Sequence, residues 1–291
     1  MARIAVLGAG AVGGFVGARL ALSGHAVTLI GRPALVQGVT AQGMRLDMDG
    51  QTLRAPVTVT TDPAAVTGCD WVLIAVKSGD TETAAQAVAP HLSAGTTVLS
   101  LQNGIGNLPT LPGPVLPALV YVAVSQIAPG HVQHKGGGRI VIGNGPNAPA
   151  AALLFSNAGF QTEISDQAEL ALWIKLTVNC TLNAVSALTG QPYGRIIAQP
   201  GAEATLRAIT AECRAVARAS GIPLPDDIAE QALALTRSMP DQCSSTAQDL
   251  AAGKPTEIAH INGEIARRGA ALGIPTPLNT ALATLVALRE N

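Results

Sequence analysis

The sequence predicts an α/β domain built on parallel strands over residues 1–165, followed by an all-α domain over residues 166–291. Three observations predict it. A short apolar strand at the amino terminus runs straight into a glycine-rich turn and then a helix. Strand-like and helix-like stretches alternate from there to about residue 165. Beyond that point no strand-like run occurs and the pattern is helical to the end. The 291 residues are enough for two cores, and 48% hydrophobic content with a positive mean hydropathy excludes disorder.

The first strand, from Arg3 to Leu7, leads into Gly8-Ala9-Gly10-Ala11-Val12-Gly13. This is the G-x-G-x-x-G pattern with correct flanks on both sides. Gly8 permits the tight turn, Gly10 lets a pyrophosphate approach the backbone, and Gly13 lets the next helix press on the sheet. The free N–H groups and positive dipole end of that helix then face the phosphates. A Rossmann dinucleotide-binding domain is expected. Val12 to Ser23 reads as a helix, stopped by Gly24, and Ala26 to Ile30 as the second strand. The adenosine ribose belongs at the end of that strand. An acidic residue there favours NAD, but the chain has Arg32, and its first acidic residue is Asp47. A guanidinium binds a 2′-phosphate with charge-assisted hydrogen bonds, so the expected cofactor is NADPH.

Met44 to Thr61 reads as short strands around an Asp49-Gly50 hairpin turn. Trp71 to Val76 is a near-continuous apolar run, as in a parallel strand buried on both faces. It ends in Lys77, at the carboxyl edge where open α/β sheets bind ligands. Thr81 to His91 is a crossover helix, and Thr96 to Leu101 the next strand. Asn103 follows it. Spacing alone leaves two readings for Asn103, a ligand contact or a residue holding a Gly-rich turn. Val120 to Ile127 and Gly130 to Ile142 read as strands divided by Pro129-Gly130, with His131 and His134 as surface or turn histidines. Asn147 to Asn157 is a helix and Phe160 to Ile164 a last short strand.

The second half opens with a long helix from Asp166 to about Leu188. Lys175, Asn179 and Asn183 stand at i, i+4 and i+8 along it. Each step of four turns only about 40°, so all three project from one side. The rest of the helix is largely apolar and reads as buried, so these polar groups need partners. A cleft facing the nucleotide domain would supply them. Further helices are expected at about 201–220, 225–237, 244–252, 256–272 and 277–288, punctuated by Pro and Gly. Ser245 and Asp249 fall in one of them. Glu257 falls in the first turn of the next, where spacing reads it as a carboxylate complementing a helix N-terminus.

The net charge is −1 and aromatic residues make up 2% of the chain, so neither a basic face nor stacking rings for nucleic acid are evident. No apolar run approaches the ~20 residues that span a bilayer. The strand at the amino terminus leaves no room for a signal peptide. Cys69, Cys180, Cys213 and Cys243 lack metal-ligand spacing and read as buried reduced thiols of a cytoplasmic protein. No metal site is expected. The Ala-rich carboxyl-terminal helices suit either a homodimer face or internal packing.

Taken together, the motifs resemble the ketopantoate reductase (2-dehydropantoate 2-reductase) family over nearly the whole length. The resemblance rests on Gly8 to Gly14, Val76-Lys77, Gln102-Asn103-Gly104, Lys175 to Asn179 and on to Asn183, Ser244-Ser245 through Asp249, and Thr256-Glu257-Ile258 with Ile261-Asn262-Gly263. It implies a Rossmann domain, an all-helical domain and an active site in the cleft between them. It also implies NADPH-dependent reduction of a 2-keto acid to a 2-hydroxy acid, with Lys175 as general acid. Asn179, Asn183 and Ser245 would contact the keto acid, and Asn103 would lie near both ligands. Lys77 would serve the cofactor, and Glu257 would face the cleft beside cofactor and substrate. Gly79, Ala259 and the segment Gln191 to Gly194 depart from the family pattern and bear on the exact substrate. Two other readings stay open, a related dehydrogenase of another 2-keto or β-hydroxy acid and a non-catalytic NADPH-sensing regulator.

Overall fold

The computed structural model describes residues 1–106 and 108–290. By internal contacts the chain divides into two compact units. Unit 1 is Met1–Asn103 with Asn107–Ala168, and unit 2 is Gly104–Gly106 with Glu169–Asn291.

Unit 1 runs β1 (Arg3–Leu7), α1 (Ala11–Leu22), β2 (Ala26–Ile30), α2 (Pro33–Gln42), β3 (Met44–Met48), β4 (Gln51–Ala55), β5 (Val57–Thr60), β6 (Trp71–Ile74), α3 (Thr81–Val88), β7 (Thr97–Ser100), β8 (Val115–Ala128), β9 (His131–Gly143), α4 (Ala148–Asn157) and β10 (Gln161–Ser165). The strands form one 10-stranded sheet in the order β4-β3-β9-β8-β7-β6-β1-β2-β5, with β10 also on β9. One half of it, β7-β6-β1-β2-β5, is wholly parallel. Side chains alternate across it, as the two-residue strand period requires. Ile4 and Val6 pack with Phe15, Val16, Leu20 and Phe155 on one face. Ala5 and Leu7 pack with Val66, Val72, Ile74 and Val88 on the other. Both faces are therefore covered, which explains the unbroken apolar runs of the parallel strands. The Asp49-Gly50 turn joins β3 to β4 with φ of 53° and 74°, the paired positive angles of a tight hairpin.

Unit 2 contains α5 (Ala168–Thr189), α6 (Tyr193–Ile197), α7 (Ala202–Ala219), α8 (Ile228–Ser238), α9 (Ser245–Ala251), α10 (Asn262–Leu272) and α11 (Pro277–Arg289). The helix α5 is its axis. Trp173, Leu176 and Cys180 pack with Cys213, Val216, Ile261 and Ile265. Leu182 packs with Tyr193, Ile196, Leu206 and Leu233, while Ala184 and Ala187 pack with Ala247, Ile258 and Val286. One helix thus enters three apolar clusters.

Several expectations are corrected. A helix, α2, follows Arg32; Pro33 at its first position signals it, since the fixed φ suits a helix start. Gln191 and Pro192 lead into the short helix α6, which already holds Tyr193 and Gly194. The expected helix 256–272 is broken. A 3-10 turn covers Ile258–His260, Ile261 leaves helical geometry at φ −110° and ψ −97°, and α10 starts afresh at Asn262. Glu257 therefore precedes a 3-10 turn and makes no side-chain cap hydrogen bond. Cys69, Cys180 and Cys213 are buried free thiols, but Cys243 is half-buried. His131 is no simple turn residue, because its Nε2 lies 2.8 Å from Asp47 Oδ2. His134 stacks on Phe15 at 5.0 Å between centroids. Finally, α5 has 22 residues and is apolar enough to cross a membrane by length and composition; 61% of its apolar window is buried against the protein, as in a core helix.

Candidate active site

In unit 1 the carboxyl ends of β1, β2, β6 and β7 carry the expected nucleotide residues. Gly8 has φ +95°, donates its N–H to Ile30 O at 2.9 Å, and lies so close to β6 that a Cβ would fall 2.5 Å from Val76 N. At Gly13 a Cβ would meet Gly8 O at 2.2 Å and Ala75 Cβ at 2.9 Å, so the helix is pressed onto the strands. Gly10 is different. A Cβ there meets nothing within 4 Å, and its backbone caps α1 with no side chain in the way. Ala9 is buried, while Ala11 and Val12 are partly buried in the first turn of α1. That turn holds no acidic residue, and its N–H groups lack intrahelical partners. An open, unopposed cradle of N–H groups over Gly10 fits a pyrophosphate.

The loops after β6 and β7 are tied together around this turn. Gln102 Nε2 donates to Val76 O at 3.0 Å and to Thr81 Oγ1 at 2.6 Å. Ser78 Oγ donates to Asn103 O at 3.3 Å. That bond ties the residue after Lys77 to the backbone of Asn103. Gln102 and Ser78 were not among the expected site residues, because their partners lie on the neighbouring strand's loop. Arg32 precedes α2 and is exposed. Its Nη2 lies 3.2 Å from Asp80 Oδ2, a carboxylate from the loop after β6. The acidic residue that the sequence lacks at the end of β2 is therefore supplied from 48 residues further on.

In unit 2, Lys175 and Asn179 are partly buried on α5, and Asn183 is 3% exposed. Two contacts gather other residues along this helix. Ser244 donates its hydroxyl to Asn183 O at 3.1 Å, accepts Ala247 N at 3.0 Å as the cap of α9, and donates its N–H to Ser186 Oγ at 3.2 Å. Ser245, exposed at the first position of α9, follows the residue that these bonds anchor to α5. Asn262 Nδ2 donates to Cys180 O at 3.0 Å and to Asn279 Oδ1 at 2.9 Å. That anchor holds the 3-10 turn and Glu257 against the same helix. Burial pushes the Lys175 ammonium down to about 8, and the Glu257 carboxylate opposes part of that shift. Glu257 lies in unit 2, and its charge favours the protonated form of Lys175. Among the described residues no group of three His, Cys, Asp or Glu side chains could hold a metal ion.

A glycine turn of this shape on a doubly covered parallel sheet, followed by an all-helical unit, defines a dinucleotide-binding oxidoreductase. The family model described as ketopantoate reductase PanE/ApbA matches residues 4–147, and that of its C-terminal part matches 167–290. The chain belongs to the ketopantoate reductase family. It is 34% identical to a 2-dehydropantoate 2-reductase of Halobacterium salinarum, over 99% of each chain. The crystal structure of a PanE/ApbA family ketopantoate reductase from Ralstonia eutropha superposes with a TM-score of 0.95 at 48% identity, covering 99% of this chain and 98% of that one. A ternary structure of D-mandelate dehydrogenase with NADH and anilino(oxo)acetate superposes at 0.92 with 26% identity, over 99% and 98%.

Proposed function

We propose that the protein reduces a 2-keto acid to a 2-hydroxy acid with NADPH, and that its substrate is 2-dehydropantoate (ketopantoate), the product being pantoate for pantothenate biosynthesis. The family and its named relatives support the reaction. Residues 1–165 would hold the cofactor and 166–291 the substrate and the acid. Lys175 carries the reading. It is a lysine on a core helix whose ammonium is lowered to about 8, near the pH at which a general acid works best.

The nicotinamide, when bound, supplies hydride to the substrate's C2. Negative charge then grows on the carbonyl oxygen. Lys175 stabilises that oxygen and gives it a proton. Asn179 and Asn183 hold the carboxylate and hydroxyl groups without adding charge, and Ser245 completes the grip. Such positioning makes the encounter effectively unimolecular. Gly8 to Gly13 would hold the pyrophosphate, Lys77 would serve the cofactor, Asn103 would contact both ligands, and Arg32 would bind the 2′-phosphate. Glu257 keeps enough positive character on Lys175 for the acid to be charged near neutrality.

The alternative 2-keto acid reading has one observation in its favour, the fold likeness to an NADH-bound D-mandelate dehydrogenase. Following NADPH oxidation with ketopantoate, pyruvate, 2-ketobutyrate and branched 2-keto acids separates the two. The highest kcat/KM is expected with ketopantoate; a clear preference for another acid would transfer the assignment to it. The free thiols fit a reducing cytoplasm. Leu278, Leu285 and Leu288 stand exposed on α11, which supports a homodimer testable by sedimentation.

A further inference from the structure

We infer that Asp80 is a cofactor-specificity residue that works against Arg32 and narrows the discrimination between NADPH and NADH. The inference rests on the reading that Arg32 meets the 2′-phosphate.

Two observations carry it. The first is the pairing itself, Arg32 Nη2 to Asp80 Oδ2 at 3.2 Å, with side-chain exposures of 85% and 55%. An exposed pair of this kind adds little to stability, so folding does not account for it. The second is what Asp80 does not do. It occupies the position before α3, where an aspartate ordinarily accepts a backbone N–H of the first turn. Here its φ and ψ are −95° and −1°, in the helical region, and its side chain makes no cap hydrogen bond. The carboxylate is turned to Arg32 instead. The loops after β2 and β6 lie on either side of the glycine turn, because β1 is flanked by β2 and β6 in the sheet. The pair therefore stands where the adenosine ribose of a bound dinucleotide belongs.

The consequences for the two cofactors are opposite. A 2′-phosphate gains a charge-assisted fork from Arg32 but meets a like charge on Asp80, which also competes for the guanidinium. A 2′-hydroxyl has no charge to repel and can donate to the Asp80 carboxylate, as it does to the acidic residue of NAD-binding sites. One site then carries a reader for each cofactor, brought from two different loops.

The test compares wild type, Asp80→Asn and Arg32→Ala by calorimetric titration of NADPH and of NADH at low salt, together with kcat/KM for each. Asp80→Asn keeps the shape and removes the charge. Its NADPH affinity should rise relative to NADH by about fivefold, the scale of one unit charge at about 4 Å in water, and the change should shrink at high salt. An unchanged or falling ratio, or equal shifts for both nucleotides, would overturn the inference. Arg32→Ala should weaken NADPH and spare NADH. If it weakens both alike, the reading of Arg32 itself fails. If it is selective for NADPH while Asp80→Asn is inert, only the role of Asp80 falls.

Discussion

At the scale of single residues, the proposed chemistry turns on how a partly buried ammonium is kept charged. Lys175 loses solvation on α5 and its proton becomes easier to give up, to a value of about 8 against an ordinary 10.5. The Glu257 carboxylate attracts the charged form and limits the drop. A general acid must be protonated before it reacts, so turnover in the direction of reduction should fall as pH rises through that value. Glu257→Gln removes the attraction. The ammonium should then lose its proton at lower pH, and the alkaline limb of the kcat profile should move to the acid side. A limb that stays in place or moves alkaline would show that Glu257 does not act on Lys175.

At the scale of elements, α5 does the organising, and three of its contacts fix the rest of the helical unit. Ser244 caps α9 while bonding Asn183 O, Asn262 bonds Cys180 O, and Arg289 at the end of α11 bonds Leu188 O at 2.7 Å. Asn262 is wholly buried, and its amide orientation is set by two acceptors on one side. Asn262→Ala leaves Asn279 Oδ1 without that donor and opens a small void. It should cost about 1–3 kcal/mol in denaturant unfolding, and a loss under 0.5 kcal/mol would count against the anchor. The stripe of Lys175, Asn179 and Asn183 was legible because helical spacing alone puts the three on one side. The Asp49-Gly50 hairpin and the glycine turn were legible for the same reason, each being local geometry. The break at Ile261 was not; it coincides with a tertiary contact from Asn262 to α5 that no local spacing announces. Nor was the partnership of Arg32 with Asp80, which the strands on either side of β1 bring together across a long stretch of chain. The α2 helix was missed although Pro33 marked its start.

At the scale of the whole molecule, the proposed reaction divides its labour between two cores. Unit 1 buries both faces of the parallel part of its sheet, which leaves the strand ends, on the loops after β1, β2, β6 and β7, for the ligand-binding groups of the proposed reaction. Unit 2 carries Lys175, Asn179 and Asn183 along one helix, so in the proposal its reactive groups stand on a rigid element and not on a loop. The proposed reaction needs both, a hydride donor from the first and a proton donor from the second. The most direct test is the single-turnover and steady-state reduction of ketopantoate by Lys175→Ala, with NADPH affinity measured on the same protein. The expected result is a loss of about 10²–10⁴ in kcat with NADPH binding nearly unchanged. Wild-type turnover by the variant would contradict the assignment of Lys175 as the acid.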